Sequence, residues 1–194
     1  MNVSIVKYNA GNTASVTNAL RRLGVEPVIT DKAGILRSAD RVIFPGVGEA
    51  STAMTFLRER GLDALIKSLT QPVLGICLGM QLMCETSDEN DTTCLGIFPY
   101  RVRRFSGDGL KVPHIGWNTI VDLDSPLFSG VTENSHVYFV HGYFVESGDA
   151  ATASSFYGEV FSAAMAHRNF HALQFHPENS GSTGETILRN FLNL

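Results

Sequence analysis

The stretch PVLGICLGMQLM, from Pro72 to Met83, passes from a strand-like apolar run to a helix-like pattern within two residues. An apolar run of strand length with no polar alternation must be covered on both faces, as inside a parallel sheet packed by helices. The rest of the first half supports that reading. Val3 to Tyr8, Glu26 to Thr30 and Arg41 to Phe44 are further strand candidates, and the third ends at Pro45-Gly46-Val47-Gly48. Between them lie helix-period segments. Asn12 caps one whose Val16, Ala19, Leu20 and Leu23 share a face, with Gly24 closing it. Ala53 to Arg60 and Leu62 to Leu69 form two more around Gly61. Strand–helix alternation predicts a mostly parallel α/β sheet with helices on both faces.

The second half changes character. Arg101 to Phe105, Thr119 to Leu123, Val137 to Val145 and Ala172 to His176 read as strands joined by turns, with few helices before Gly184 to Leu194. Antiparallel additions to the parallel core are expected there. Ser87 to Thr93 is polar and reads as a loop. With 194 residues and neither repeat nor linker, residues 1–194 are expected to form one domain.

Composition narrows the partners. A net charge of −4, with only Arg101, Arg103 and Arg104 clustered, argues against nucleic acid. Three cysteines without a C-x-x-C pair suggest neither a disulfide framework nor a zinc site, and no cofactor is expected. No signal peptide opens the chain, and no apolar run approaches the ~20 residues of a membrane span, so a cytoplasmic setting is expected.

The chemistry converges on Gly75-Ile76-Cys77-Leu78-Gly79. A strand-to-helix turn of the form G-x-nucleophile-x-G exposes its central side chain at the end of a parallel sheet. N–H groups at the start of the following helix favour a thiolate there. A core cysteine beside two glycines is the competing reading. A nucleophile needs a base, and the base needs an orienting group. Of six histidines, only His176 in ALQFHPENS has a fitting neighbour: Glu178, two residues on, projects to the same side of an extended chain. An oxyanion requires two N–H donors. Leu78 N–H, just after the nucleophile, is the first candidate, and Val47 in FPGVGEA the second.

These three motifs, in this order and spacing, resemble the class I (triad) glutamine amidotransferases, whose flavodoxin-like fold the resemblance implies. VPHIGWN (Val112 to Asn118) and YFVHGY (Tyr138 to Tyr143) resemble in particular the glutaminase subunits of imidazole glycerol phosphate synthases. The likeness runs end to end. It implies a triad of Cys77, His176 and Glu178, oxyanion donors at Val47 and Leu78, and glutamine contacts at Gly48, Gln81, Glu89, Gly142 and Tyr143. It also implies a heterodimer with a separate (β/α)8-barrel cyclase of histidine biosynthesis, which receives the ammonia. Asn9, Asn12, Trp117, Asn118 and Tyr138 are expected to face that partner, burial of Trp117 in the core being the competing reading.

Three positions depart from the pattern: Lys7 stands where relatives often carry Asp, Gly142 where a small hydroxyl residue is usual, and Asn179 where Lys or Arg is common. Another amidotransferase glutaminase, a stand-alone γ-glutamyl cysteine hydrolase and a non-catalytic binding protein remain as alternatives. Cys84 is expected to pack in the core two helical turns after Cys77, and Cys94 to begin a strand. His136, His167 and His171 read as surface or strand-edge residues, and His114 is assigned no catalytic role.

Overall fold

The computed structural model describes residues 1–194. The first half alternates as its hydrophobic pattern predicts: β1 (Val3–Val6), α1 (Thr13–Arg22), β2 (Val28–Thr30), α2 (Ala33–Ser38), β3 (Arg41–Gly46), α3 (Ala50–Glu59), α4 (Leu62–Lys67), β4 (Val73–Cys77) and α5 (Leu78–Met83). Asn12 caps α1 by accepting from Ser15 N–H. The short α2 lacks the length for a visible helical period and was not expected. Two brief strands follow, β5 (Thr86–Ser87) and β6 (Thr92–Thr93), then β7 (Arg101–Arg104), β8 (His114–Ile120), β9 (Ser135–His141), β10 (Tyr143–Val145), β11 (Ala151–Tyr157), β12 (Glu159–His167), β13 (Phe170–Leu173) and α6 (Gly181–Leu192).

The main sheet has seven strands in the order β11-β12-β13-β4-β3-β1-β2. Its inner part, from β13 to β2, is parallel, and the β11–β12 hairpin adds an antiparallel edge. Alternate residues of β3 serve opposite faces. Val42 and Phe44 join a core with α2 to α5, while Ile43 joins one with α1 and α6. A four-stranded sheet, β10-β7-β5-β6, and the β8–β9 hairpin lie outside the main sheet.

Several second-half expectations need correction. The β11–β12 hairpin was missed because AATASSFYGEVFSAAM is rich in alanine and serine, which carry little strand signal. Strand character assigned to Thr119–Leu123 lies earlier, over β8, because those residues pair along their whole length with β9. Val137 to Val145 is two strands in different sheets, broken at Gly142. The stretch from Ser87 to Thr93 contains short paired segments rather than a plain loop. Cys84 is fully buried, but in extended backbone just past α5, and Cys94 follows β6 rather than starting a strand. No helix is long and apolar enough to cross a membrane.

The contact that fixes the centre of the sheet is glycine on backbone. A Cβ on Gly79 would overlap the Phe44 carbonyl oxygen of β3, and a Cβ on Gly46 would sit 2.6 Å from Gly79 N. Both positions exclude any side chain, so α5 rests directly on the end of β3. Gly79→Ala should therefore cost about 3 kcal/mol by overpacking, read as a lowered denaturant midpoint at unchanged slope. An unaltered midpoint would show that the contact is not needed.

Candidate active site

Cys77 is the last residue of β4 and the N-cap of α5, with φ 53° and ψ −109°. A left-handed φ costs a non-glycine residue on the order of 1–3 kcal/mol and persists only where its surroundings enforce it. Here β4 is held between β3 and β13, in a register that pairs Gly46 with Cys77 and Leu173 with Ile76. That register brings the chain leaving β3 at Val47 beside the chain leaving β4 at Leu78. From below, Tyr8 donates its hydroxyl hydrogen to the Pro45 carbonyl at 2.6 Å.

His176 and Glu178 are both buried, with Nδ1 and Oε1 2.8 Å apart. The expected geometric reason differs from the observed one. His176 precedes a 3-10 turn over Pro177–Asn179, and the turn, not an extended chain, returns the Glu178 carboxylate to the ring. With Nδ1–H donated to Glu178, the Nε2 edge is the free edge of the ring. Nε2 is buried and has no hydrogen-bond partner. Burial works against a charged ring, but Cys77 and then Glu178 outweigh it and push His176 up to about 10.

A cavity of about 290 Å³ opens at Cys77, large enough for an amino acid. Val47, Gly48, Leu78, Gln81, Glu89, Gly142 and Tyr143 line it, so eight of the ten expected site residues meet there. His176 and Glu178 stand outside the lining. Sequence reasoning missed Pro113, Val140 and His141, which complete the wall. Cys77 Sγ faces the Val140 carbonyl at 3.8 Å. Glu89 accepts from Ala50 N–H at 2.8 Å, so it is not a freely solvated loop carboxylate. Burial raises its pKa, against the hydrogen bond from Ala50. Burial also pushes His141 down to about 3, against the bond from its Nδ1 to the Tyr143 carbonyl, so its ring stays neutral. No group of three His, Cys, Asp or Glu side chains is arranged to hold a metal ion.

The β8–β9 hairpin forms the outer rim. His114, Phe139 and His141 face inward and are buried, while Ile115 and Trp117 face out at 60% and 55% exposure. Trp117 is thus not a core residue. It packs edge-on against Tyr138, with ring centroids 6.0 Å apart. Asn9 is exposed, whereas Asn12 is engaged in capping α1 and Asn118 donates to the Phe156 carbonyl at 2.9 Å. The latter two have local structural work whatever else they contact. Lys7 and Asn179 are exposed, and neither is among the residues lining the cavity.

A cysteine at a strained strand end, a buried histidine–carboxylate pair and two main-chain segments converging on one cavity are the parts that a thiol-dependent acyl transfer of the triad kind requires. The chain belongs to the class-I glutamine amidotransferases, whose family model matches residues 5–194. Within them it belongs with the HisH subunits of imidazole glycerol phosphate synthase. It is 58% identical to that of Bacteroides thetaiotaomicron over 100% of both chains, and 48% identical to that of Idiomarina loihiensis over 100% of this chain and 98% of the relative. The solved structure of a putative GMP synthase protein from Thermoplasma acidophilum shares the fold. Its TM-score is 0.78 at 24% identity, over 100% of this chain and 93% of the other.

The pH dependence follows from the sign of the His176 shift. Its value is raised above the ordinary 6.5, so the stability it contributes is full below about 6.5 and is lost as pH rises through about 10. Glu178→Gln removes a negative charge that favours the charged ring. The ring's NMR titration midpoint should move down, and a midpoint that stays or rises would exclude the pairing.

Proposed function

We propose that this chain hydrolyses glutamine to glutamate and ammonia at Cys77. The ammonia passes to a separate (β/α)8-barrel cyclase that makes imidazole glycerol phosphate and aminoimidazole carboxamide ribonucleotide in histidine biosynthesis. The observation that carries the reading is the buried His176, held through Nδ1 by Glu178 with Nε2 unpartnered. Membership among the synthase subunits supports the choice of acceptor. The whole chain acts as one amidotransferase domain, and three unpaired cysteines fit a cytoplasmic setting.

In the proposed cycle the Cys77 proton passes to His176 Nε2, and sulfur attacks the side-chain amide carbon of glutamine. The tetrahedral oxyanion is met by the N–H groups of Val47 and Leu78. His176 then protonates the departing nitrogen as the C–N bond breaks, leaving a glutamyl thioester. Water, deprotonated by His176, releases glutamate and restores the thiol. Gly48, Gln81, Glu89, Gly142 and Tyr143 hold the substrate, with the Glu89 carboxylate suited to its ammonium. Val47 is 40% exposed at the cavity rim. A partner seated on the rim is therefore in position to adjust this donor, which makes low activity in the isolated chain and higher activity in the complex the expected behaviour.

Cys77→Ala should lower glutamine-dependent synthesis about 1,000-fold or more and leave synthesis from added ammonium salt intact. Substantial glutamine-dependent turnover in that variant would sink the reading. Trp117→Ala should weaken association with the cyclase by about 2 kcal/mol, roughly 30-fold in Kd by calorimetry. Unchanged affinity would remove Trp117 from the interface.

A further inference from the structure

Gln174 is fully buried beside the His176 turn, and the proposed cycle gives it no role. A buried amide persists where its donors and acceptor are met, and the polarity of this one follows atom by atom. The Tyr143 carbonyl oxygen can only accept. Gln81 Nε2 lies 3.0 Å from it and His141 Nδ1 2.7 Å from it. Gln81 therefore turns its NH2 group toward that oxygen, and the His141 proton sits on Nδ1. The second N–H of Gln81 goes to Gln174 Oε1 at 3.0 Å. Gln174 must then present its own NH2 group on the far side, where Nε2 is 3.8 Å from Cys77 Sγ. One backbone carbonyl thus orients a relay of donors that ends on the sulfur.

The second neighbour of the sulfur has the opposite preference. The Val140 carbonyl accepts from the thiol hydrogen, and once that proton has gone to His176 the carbonyl repels the charge left behind. The geometry points to Gln174 as a further catalytic residue, donating from Nε2 to the Cys77 sulfur as it ionises, attacks the amide carbon and later departs from the thioester. Gln174 loses no proton at any step: the thiol proton goes to His176 and then to the leaving ammonia, and a water proton returns through His176 to sulfur. The inference rests on the glutaminase reading of Cys77.

Gln174→Met keeps the approximate volume and removes the donor, while Gln81→Met keeps the Gln174 side chain but removes the N–H that orients its amide. Both are compared with wild type in the cyclase complex, by iodoacetamide alkylation of Cys77 at pH 7 and by glutaminase kinetics. Loss of a hydrogen bond to a charged atom should slow alkylation of Gln174→Met about fivefold and lower kcat about tenfold. Gln81→Met should slow alkylation by less than Gln174→Met does and also raise KM, because Gln81 both orients Gln174 and lines the cavity. Gln174→Leu is the second variant, and whichever of the two unfolds cooperatively is scored. Wild-type alkylation in a folded Gln174 variant, or a defect confined to KM, overturns the proposal. If the wild-type complex hydrolyses no glutamine, the glutaminase reading fails, while the alkylation comparison still decides the contact.

Discussion

The contact of Gly79 with the Phe44 carbonyl sets the spacing between two strand ends that must cooperate. Because neither Gly79 nor Gly46 carries a side chain, α5 seats on β3 at backbone distance. Cys77 is forced into its left-handed conformation at the same point, and the segment after β3 is brought beside Leu78. Close packing of this kind leaves little room for adjustment. A wider spacing would relax Cys77 and separate the two segments that converge on the cavity. The strain at Cys77 is thus maintained by the packing of the whole central sheet, not by the turn alone.

Two buried histidines near this cavity are driven in opposite directions. His141 has a backbone carbonyl as its acceptor, and burial holds it neutral. His176 has a carboxylate and a sulfur, and these overcome burial to favour the charged ring. The same low-dielectric surroundings therefore keep one ring neutral and leave the other favouring its charged form. The difference lies in the partner, not in the degree of burial.

Much of this was legible in the sequence wherever a residue type had only one physical use. The unbroken apolar run of β4, the capping Asn12 and the glycines about Cys77 each pointed to what is observed. The β11–β12 hairpin was not legible, since alanine and serine become strand residues only through their neighbours. The His176–Glu178 pair was named from an extended-chain argument, yet it forms through a turn that a Pro following the histidine starts. Gln174 stands beside the motif and was passed over. A polar residue between Leu173 and Phe175, both apolar, was the available signal, but its value depends on Tyr143, far away in the chain. Val140 acts through its carbonyl, which no reading of side chains can find.

Strand β9 joins the rim to Cys77 and His176 through its own main-chain atoms. The Tyr138 carbonyl accepts from His176 N–H at 2.9 Å, Tyr138 N–H donates to Ser180 Oγ at 2.9 Å, and the Val140 carbonyl meets Cys77. Links of this type are blind to side-chain identity. The side chains of Tyr138 and Val140 can change while the main-chain connection to His176 and Cys77 is kept. What the strand cannot absorb is a change in length. One residue gained or lost within β9 would exchange its inward and outward faces from that point on and break the register that holds Tyr138 and Val140 in these links.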